Sequence, residues 1–308
     1  MAKTAWIYPG QGAQLVGMGI AVAESFPEAR DLFMLASELA GYDILELCSS
    51  GPMDKLSRTL YTQPALYTVE AAITIVLNKH GLIPDAAAGH SLGEFCAWYS
   101  SGVYDFETGF TLVSARGKLM DEADPEGRGT MAAVIGLTCE EVSEVCSKVN
   151  GTVVVANINS PLQIVISGEK NAVEKAGALL KEHGAKRVLF LSVSGAFHSP
   201  LMENAREKFH KIVEGSRIRD ARIPVYSNVT AEPVTSADEI RRLMVFQMTS
   251  PVRWVETVKK MMSDGIIEFL ELGPGNVLAG LIKRTVEDID VTPVSEPAGI
   301  WEVLHEEA

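Results

Sequence analysis

Cysteine is scarce in this chain of 308 residues, which holds only Cys48, Cys96, Cys139 and Cys146. Four are too few for a disulfide framework at this length, and none forms a C-x-x-C pair or joins a histidine at zinc-ligand spacing. A disulfide-stapled module is excluded and no metal is expected. Long hydrophobic runs are also missing. The stretch Ala71–Leu77 is already broken by Thr74, and nothing approaches the roughly 20 apolar residues of a membrane helix. The opening MAKTAWIYPGQG has a lysine but no apolar core of a signal peptide. Positive charge is in deficit, with 27 Lys+Arg against 40 Asp+Glu and a net charge of −13. No global positive field draws in nucleic acid, so any anionic ligand has to be met by a local basic group. The expectation is a reduced, cytoplasmic, acidic protein without membrane or nucleic-acid partners.

At about 150 residues per domain, the length suggests two domains or one with an insertion. Short apolar runs alternate with longer amphipathic ones, which predicts a mainly parallel sheet flanked by helices. Strands are expected at Thr4–Tyr8, Ala86–Gly89, Ile223–Ser227 and Ile266–Leu272. Helices are expected at Ala29–Ala40, Pro64–His80, Phe106–Glu122, Pro200–Gly215, Asp238–Met248, Val252–Asp264 and from Gly275 to Val286. A linker, Pro125-Glu126-Gly127-Arg128-Gly129, opens a segment with its own rhythm. There Met131–Gly136 reads as strand and Cys139–Lys148 as helix. Val153–Ala156 and Gln163–Ser167 read as strands joined by a turn at Asn157–Pro161, followed by helix Asn171–His183 and strand Lys186–Val193. That order, βαββαβ, is the ferredoxin-like one. An α/β domain at 1–128 and 198–308 is thus expected to be interrupted by a small subdomain at 129–197.

The sharpest motif is Gly89-His90-Ser91-Leu92-Gly93, a G-x-S-x-G at the end of an expected strand. A serine on a tight strand-to-helix turn needs glycines on both sides, because a Cβ there collides with the turn. The turn projects the Ser91 hydroxyl, and the Leu92 backbone N–H faces the same space as an oxyanion donor. The bland alternative is an ordinary strand–turn–helix.

A serine nucleophile needs a base. His80, His183 and His210 fall on helical, solvated faces, and His305 lies in an acidic tail. His90 adjoins the serine, but neighbouring side chains on a turn diverge, so it is expected to support the turn. His198 leaves a strand and precedes Ser199-Pro200, a good N-cap and first helical position. It can face a cleft, or be a loop histidine without a role. Arg116 has Leu112, Val113, Leu119 and Met120 as helical neighbours, all apolar. A guanidinium on an apolar stripe costs several kcal/mol unless an anion meets it. It either forms a structural ion pair or waits for a ligand carboxylate gripped in bidentate fashion. Gln11, in Pro9-Gly10-Gln11-Gly12-Ala13-Gln14 after the first strand, can bring a second backbone N–H to a ligand crevice. Gln247 reads alone as a polar helix residue.

Together these stretches resemble the malonyl-coenzyme A:acyl carrier protein transacylase family over nearly the whole chain. The loop at Gln11, Thr62-Gln63-Pro64-Ala65, the Ser91 motif through Phe95, Arg116-Gly117 and Asn157–Pro161 all match in order. So do Gly195-Ala196-Phe197-His198-Ser199, Asn228-Val229-Thr230, Gln247 and Glu271-Leu272-Gly273-Pro274-Gly275. The resemblance implies an α/β-hydrolase-like core around the small ferredoxin-like subdomain. It implies ping-pong transfer from malonyl-CoA through a malonyl ester on Ser91, with His198 as base and no third acid. A backbone carbonyl near Gln247 would orient the imidazole, and the Gln11 and Leu92 N–H groups would hold the oxyanion. Arg116 would bind the malonyl carboxylate, with Met120 and His90 beside the substrate and Phe197 crowding a branched acyl chain. The acceptor implied is holo acyl carrier protein, docking on a local basic rim for which Lys283, Arg284, Lys186 and Arg187 are candidates. No bound cofactor is implied, and a monomer is expected.

Two rivals remain at this point. An α/β-hydrolase-type esterase or thioesterase also uses G-x-S-x-G, but has no use for Arg116 on neutral esters. A non-catalytic carrier-protein-binding scaffold leaves nucleophile, base and anion site unexplained.

Overall fold

The computed structural model describes residues 3–124, 126–287 and 289–306; Pro125 of the expected linker lies outside them. The strands are β1 (Lys3–Tyr8), β2 (Ala86–Gly89), β3 (Gly129–Ile135), β4 (Val153–Ser160), β5 (Gln163–Glu169), β6 (Arg187–Phe190), β7 (Val225–Tyr226), β8 (Pro233–Val234), β9 (Ile266–Leu272) and β10 (Asp290–Val294). They form two sheets, one ordered β10-β9-β1-β2-β7-β8 and one ordered β4-β5-β3-β6. The first is parallel except for the β7–β8 pair. The second is antiparallel throughout.

The centre of the large sheet is buried on both faces, as a parallel sheet covered by helices requires. Ala5, Ile7, Ala86 and Ala88 point into one apolar cluster, whereas Trp6, Tyr8 and Ala87 point into the other. Small side chains along β2 let helices pack close to the strand that carries the elbow. The small sheet divides its residues by the same two-residue period. Ala132, Val134, Ile164 and Ile166 pack with its own helices Cys139–Ser147 and Lys170–Glu182, while Met131, Ala133 and Val165 join the larger core.

Several boundaries differ from the sequence expectation. The helix expected from Pro64 starts at Thr59 and runs to Lys79, with Pro64 inside it. Pro64 is the sixth residue of this helix, past the first turn whose N–H groups lack an intrahelical partner, so it forfeits the bond to the Leu60 carbonyl, and the burial of the surrounding segment outweighs that loss. The turn expected at Asn157–Pro161 is confined to Pro161-Leu162, because Asn157–Ser160 continues β4. Irregular register in β4 accommodates this, as do hydrogen bonds to a remote segment, from Ile158 N to Val252 O and from Val252 N to Ala156 O. The strand expected at Lys186–Val193 is only Arg187–Phe190, and Ile223–Ser227 shortens to Val225–Tyr226. Short helices at Ile20–Ser25, Ile44–Ser50 and Met53–Leu56, and strands β8 and β10, had no expectation. The acidic tail at His305 is part of helix Pro297–Glu306. No helix among the described residues is long and apolar enough to cross a membrane.

Candidate active site

β2 ends in the elbow. Ser91 has φ 53°, a left-handed conformation that non-glycine residues rarely hold. Ordinary side chains cannot flank it. A Cβ on Gly89 would lie 1.9 Å from the Gly93 carbonyl carbon, and one on Gly93 would lie 2.1 Å from Tyr8 O. The strained backbone is held from outside: Asn228 accepts from Ser91 N at 2.7 Å and donates to Gly89 O at 2.6 Å. Gly93→Ala drives a methyl group into backbone that cannot yield. It should lower stability by about 3 kcal/mol or more, read from urea unfolding.

Ser91 Oγ stands 2.8 Å from His198 Nε2. On the other side of the ring, Nδ1 reaches Gln247 O at 2.9 Å and Ser250 O at 3.1 Å. Two carbonyl acceptors place the ring proton on Nδ1 and leave Nε2 free to accept from the serine. No carboxylate bonds this ring among the described residues. His198 too is left-handed, at φ 55°, and Ser199 caps the following turn by accepting from Leu201 N. Burial, and then the charge of Arg116, push the His198 imidazole down to about 3. It is therefore a neutral base at any ordinary pH.

Arg116 projects from helix Phe106–Asp121 into the same space and is 0% exposed. Nη1 donates to Gln63 Oε1 at 2.8 Å, and Nη2 donates to Gln247 Oε1 at 2.8 Å and to Ser91 Oγ at 3.2 Å. Its Nε has no partner among the described residues, and its guanidinium carbon lies 5.3 Å from the centroid of the Phe95 ring. It forms no ion pair with a carboxylate among the described residues. Burial lowers its pKa to about 10, with the charge of Glu94 opposing the shift, so it remains a cation.

The other expected residues are placed less closely. The Gln11 side chain is half-buried and donates to Thr59 Oγ1 at 3.2 Å. The backbone N–H groups of Gln11 and Leu92 have no acceptor among the described residues. His90 turns away from the serine; its Nε2 is 2.8 Å from Asn159 Oδ1 on β4, and its ring meets Trp254 edge-on. Burial lowers its pKa. Met120 is buried, its sulfur accepting from Gln63 Nε2 at 3.3 Å, and Phe197 is buried in the large core. Gln247 is not within the expected helix but opens a 3₁₀ turn, Gln247–Thr249, after helix Ala237–Phe246. That turn aims its carbonyl at His198 while its side chain reaches Arg116. Lys186 and Arg187 at the start of β6, and Lys283 and Arg284 at the end of helix Val277–Lys283, are exposed. The described residues contain no group of three or more side chains suited to a metal ion.

Three residues to which the sequence reading assigned no role, Gln63, Asn228 and Glu94, are part of this network. All three are buried polar groups. Their only sequence signal is that each stands in a stretch carrying the family resemblance.

A serine hydrogen-bonded to a histidine and a buried cation share one site, and comparison with known proteins supplies the family. The model of the acyl transferase domain matches residues 5–305. The chain belongs to that family. This acyl transferase is 41% identical over 303 residues to the malonyl CoA-acyl carrier protein transacylase of Bacillus subtilis (strain 168), covering 97% of this chain and 96% of the relative. It is 45% identical over 302 residues to the protein of that name from Haemophilus influenzae, with 97% of each covered. Among solved structures, an acyl carrier protein S-malonyltransferase from Vibrio cholerae superposes with a TM-score of 0.95 at 41% identity, over 98% of this acyl transferase and 100% of that chain. A malonyl-transacylase in complex with its type II PKS acyl-carrier protein gives 0.96 at 42% identity, over 99% and 100%.

Proposed function

We propose that this acyl transferase moves a malonyl group from malonyl-CoA to the phosphopantetheine thiol of holo acyl carrier protein, supplying extender units for fatty-acid or polyketide synthesis. The observation that carries the malonyl assignment is Arg116: fully buried, without a carboxylate partner among the described residues, and 3.2 Å from Ser91 Oγ. A buried guanidinium is costly unless an anion meets it. The free carboxylate of a malonyl group is that anion, and it arrives attached to the carbonyl that Ser91 attacks. Neutral esters bring none, which disfavours a general hydrolase.

In the first half-reaction His198 Nε2 takes the Ser91 proton as Oγ bonds to the thioester carbon. The carbon–sulfur bond breaks, and the proton passes from His198 to the coenzyme A sulfur. The Gln11 and Leu92 N–H groups, free of other acceptors, hold the oxyanion at the head of helix Gly93–Ser100. In the second half-reaction His198 takes the proton of the carrier thiol as sulfur bonds to the ester carbon; the bond from that carbon to Ser91 Oγ breaks, and His198 passes the proton to Oγ. Gln247 O and Ser250 O orient the ring throughout. Atoms balance without a cofactor or metal, so none is invoked.

Met120 supports the Arg116 pocket through Gln63, His90 braces the elbow against β4, and Phe197 sets a preference for unbranched acyl groups. That preference is worth only about 1–3 kcal/mol per methyl group. Lys283, Arg284, Lys186 and Arg187 form the rim offered to an acidic carrier protein, chiefly raising its on-rate. The large sheet is read as an α/β-hydrolase-like core at 1–128 and 198–308. The unit at 129–197 is read as ferredoxin-like, which the order β4-β5-β3-β6 supports. The enzyme is taken to act as a cytoplasmic monomer.

Intact-mass measurement after mixing with malonyl-CoA tests this reading. The expected result is one malonyl adduct, mapped to the Ser91 peptide and discharged by holo carrier protein. Steady release of coenzyme A and malonate without an adduct would make water the acceptor and the protein a hydrolase.

A further inference from the structure

The reading above gives Arg116 one carboxylate, from the substrate. The chain holds a second carboxylate in the same network, and the transfer steps do not use it. Glu94 lies in the first turn of helix Gly93–Ser100 and is 2% exposed. One of its oxygens accepts from the side-chain amide of Gln247, and the other accepts from Asn228 N at 3.1 Å. The Gln247 amide oxygen accepts in turn from Arg116 Nη2 at 2.8 Å, and its nitrogen also donates to Ser91 O at 2.8 Å. A single amide therefore stands between buried guanidinium and buried carboxylate, accepting from one and donating to the other. It also grips the carbonyl of the nucleophile.

We propose that Glu94 is a positioning residue, the counter-charge of Arg116 coupled to it through the Gln247 amide, and that it takes up a proton when a carboxylate-bearing acyl group docks on Arg116. This rests on the malonyl reading. An incoming carboxylate makes two anions compete for one guanidinium inside a poorly solvated site, and like charges there raise the proton affinity of one of them. Glu94 is the one that yields. Burial has already raised its carboxyl to about 7, with the hydrogen bonds from Gln247 and Asn228 and the charge of Arg116 holding it back from rising further. Proton uptake keeps the net charge buried around Ser91 the same in the free and loaded enzyme, so the Ser91–His198 pair works in a constant field.

Other titratable groups around Glu94 do not compete for that proton. Arg116 stays charged, and the Tyr104 phenol is pushed well above its ordinary value by burial and, more weakly, by the neighbouring Cys96 and Glu94. His198, joined through Gln247 O, is held neutral, and burial lowers His90 beside Ser91.

The test is calorimetric binding of malonyl-CoA to the full-length Ser91→Ala protein, in two buffers of different ionisation heat just above neutral pH. Acetyl-CoA, which lacks the carboxylate, is the control. Malonyl-CoA should take up on the order of one proton and acetyl-CoA none. Because loading binds a proton, affinity for malonyl-CoA should fall as pH rises, by up to roughly tenfold per unit. Adding Glu94→Gln should abolish both effects. Glu94→Asp keeps a carboxyl and should retain uptake, which covers the case in which the glutamine variant fails to fold. Malonyl-CoA binding without proton uptake, or uptake that persists in Glu94→Gln, overturns the proposal and leaves the malonyl reading standing. Malonyl-CoA binding no differently from acetyl-CoA overturns that reading and the proposal with it.

Discussion

Replacing His198 by alanine should slow both enzyme acylation and transfer to the carrier thiol by roughly 10²–10⁴-fold, the range of a lost general base. In the proposed mechanism one imidazole serves both steps: Nε2 faces Ser91 Oγ at 2.8 Å, and the carrier thiol would attack from the same side. Single-turnover mass measurements separate the steps: loading from malonyl-CoA first, then discharge by carrier protein. A loss confined to one step would overturn the shared-base role. The pH profile offers a second check. With the imidazole held at about 3 by burial and by Arg116, this base is fully deprotonated above about pH 5. The acid limb it contributes to kcat/KM for loading lies near pH 3, not near the ordinary histidine value of about 6.5.

Arg116→Ala should discriminate between substrates. Removing one member of a buried charge pair costs about 3–5 kcal/mol, so malonyl transfer should fall by about 10²-fold to 10⁴-fold. Transfer of an uncharged acetyl group loses no such partner and should fall much less. The comparison is kcat/KM for malonyl-CoA against acetyl-CoA in the same variant. Equal losses would mean that Arg116 is only structural, holding Gln63 and Gln247 in place through its two 2.8 Å bonds. Arg116→Lys should rescue little, because an ammonium cannot reproduce the planar fork that spans both glutamines and faces a carboxylate.

Local chemistry made much of the site legible. The glycines around Ser91 are legible because no other residue fits there: any Cβ meets backbone within about 2 Å. The Ser199-Pro200 pair read as a helix start, and a cap does form there, although the first turn is 3₁₀ and the α-helix begins at Glu203. The apolar neighbours of Arg116 left two readings open, and only the absence of an ion pair among the described residues separates them. Asn157–Pro161 read as a turn because Asn, Ser and Pro favour turns, and only Pro161 of it lies in one. Backbone hydrogen bonds to Val252, nearly a hundred residues away, override that preference. Pro64 read as a helix start because proline suits that position. The helix nevertheless begins five residues earlier, at Thr59.

The sequence by itself determined the two-part α/β order, the elbow, the candidate base and an arginine in need of an anion. Each depends on neighbours within one turn or one strand. Tertiary structure alone decided which distant groups meet. Gln63, Asn228, Gln247 and Glu94 come from four separate segments; the first two and Glu94 are unremarked polar residues on their own segments, and Gln247 gained a role only through the family resemblance. Burial is what gives them roles: with water excluded, most donors and acceptors must find protein partners. In this chain those partners are the serine backbone, the histidine ring and the guanidinium.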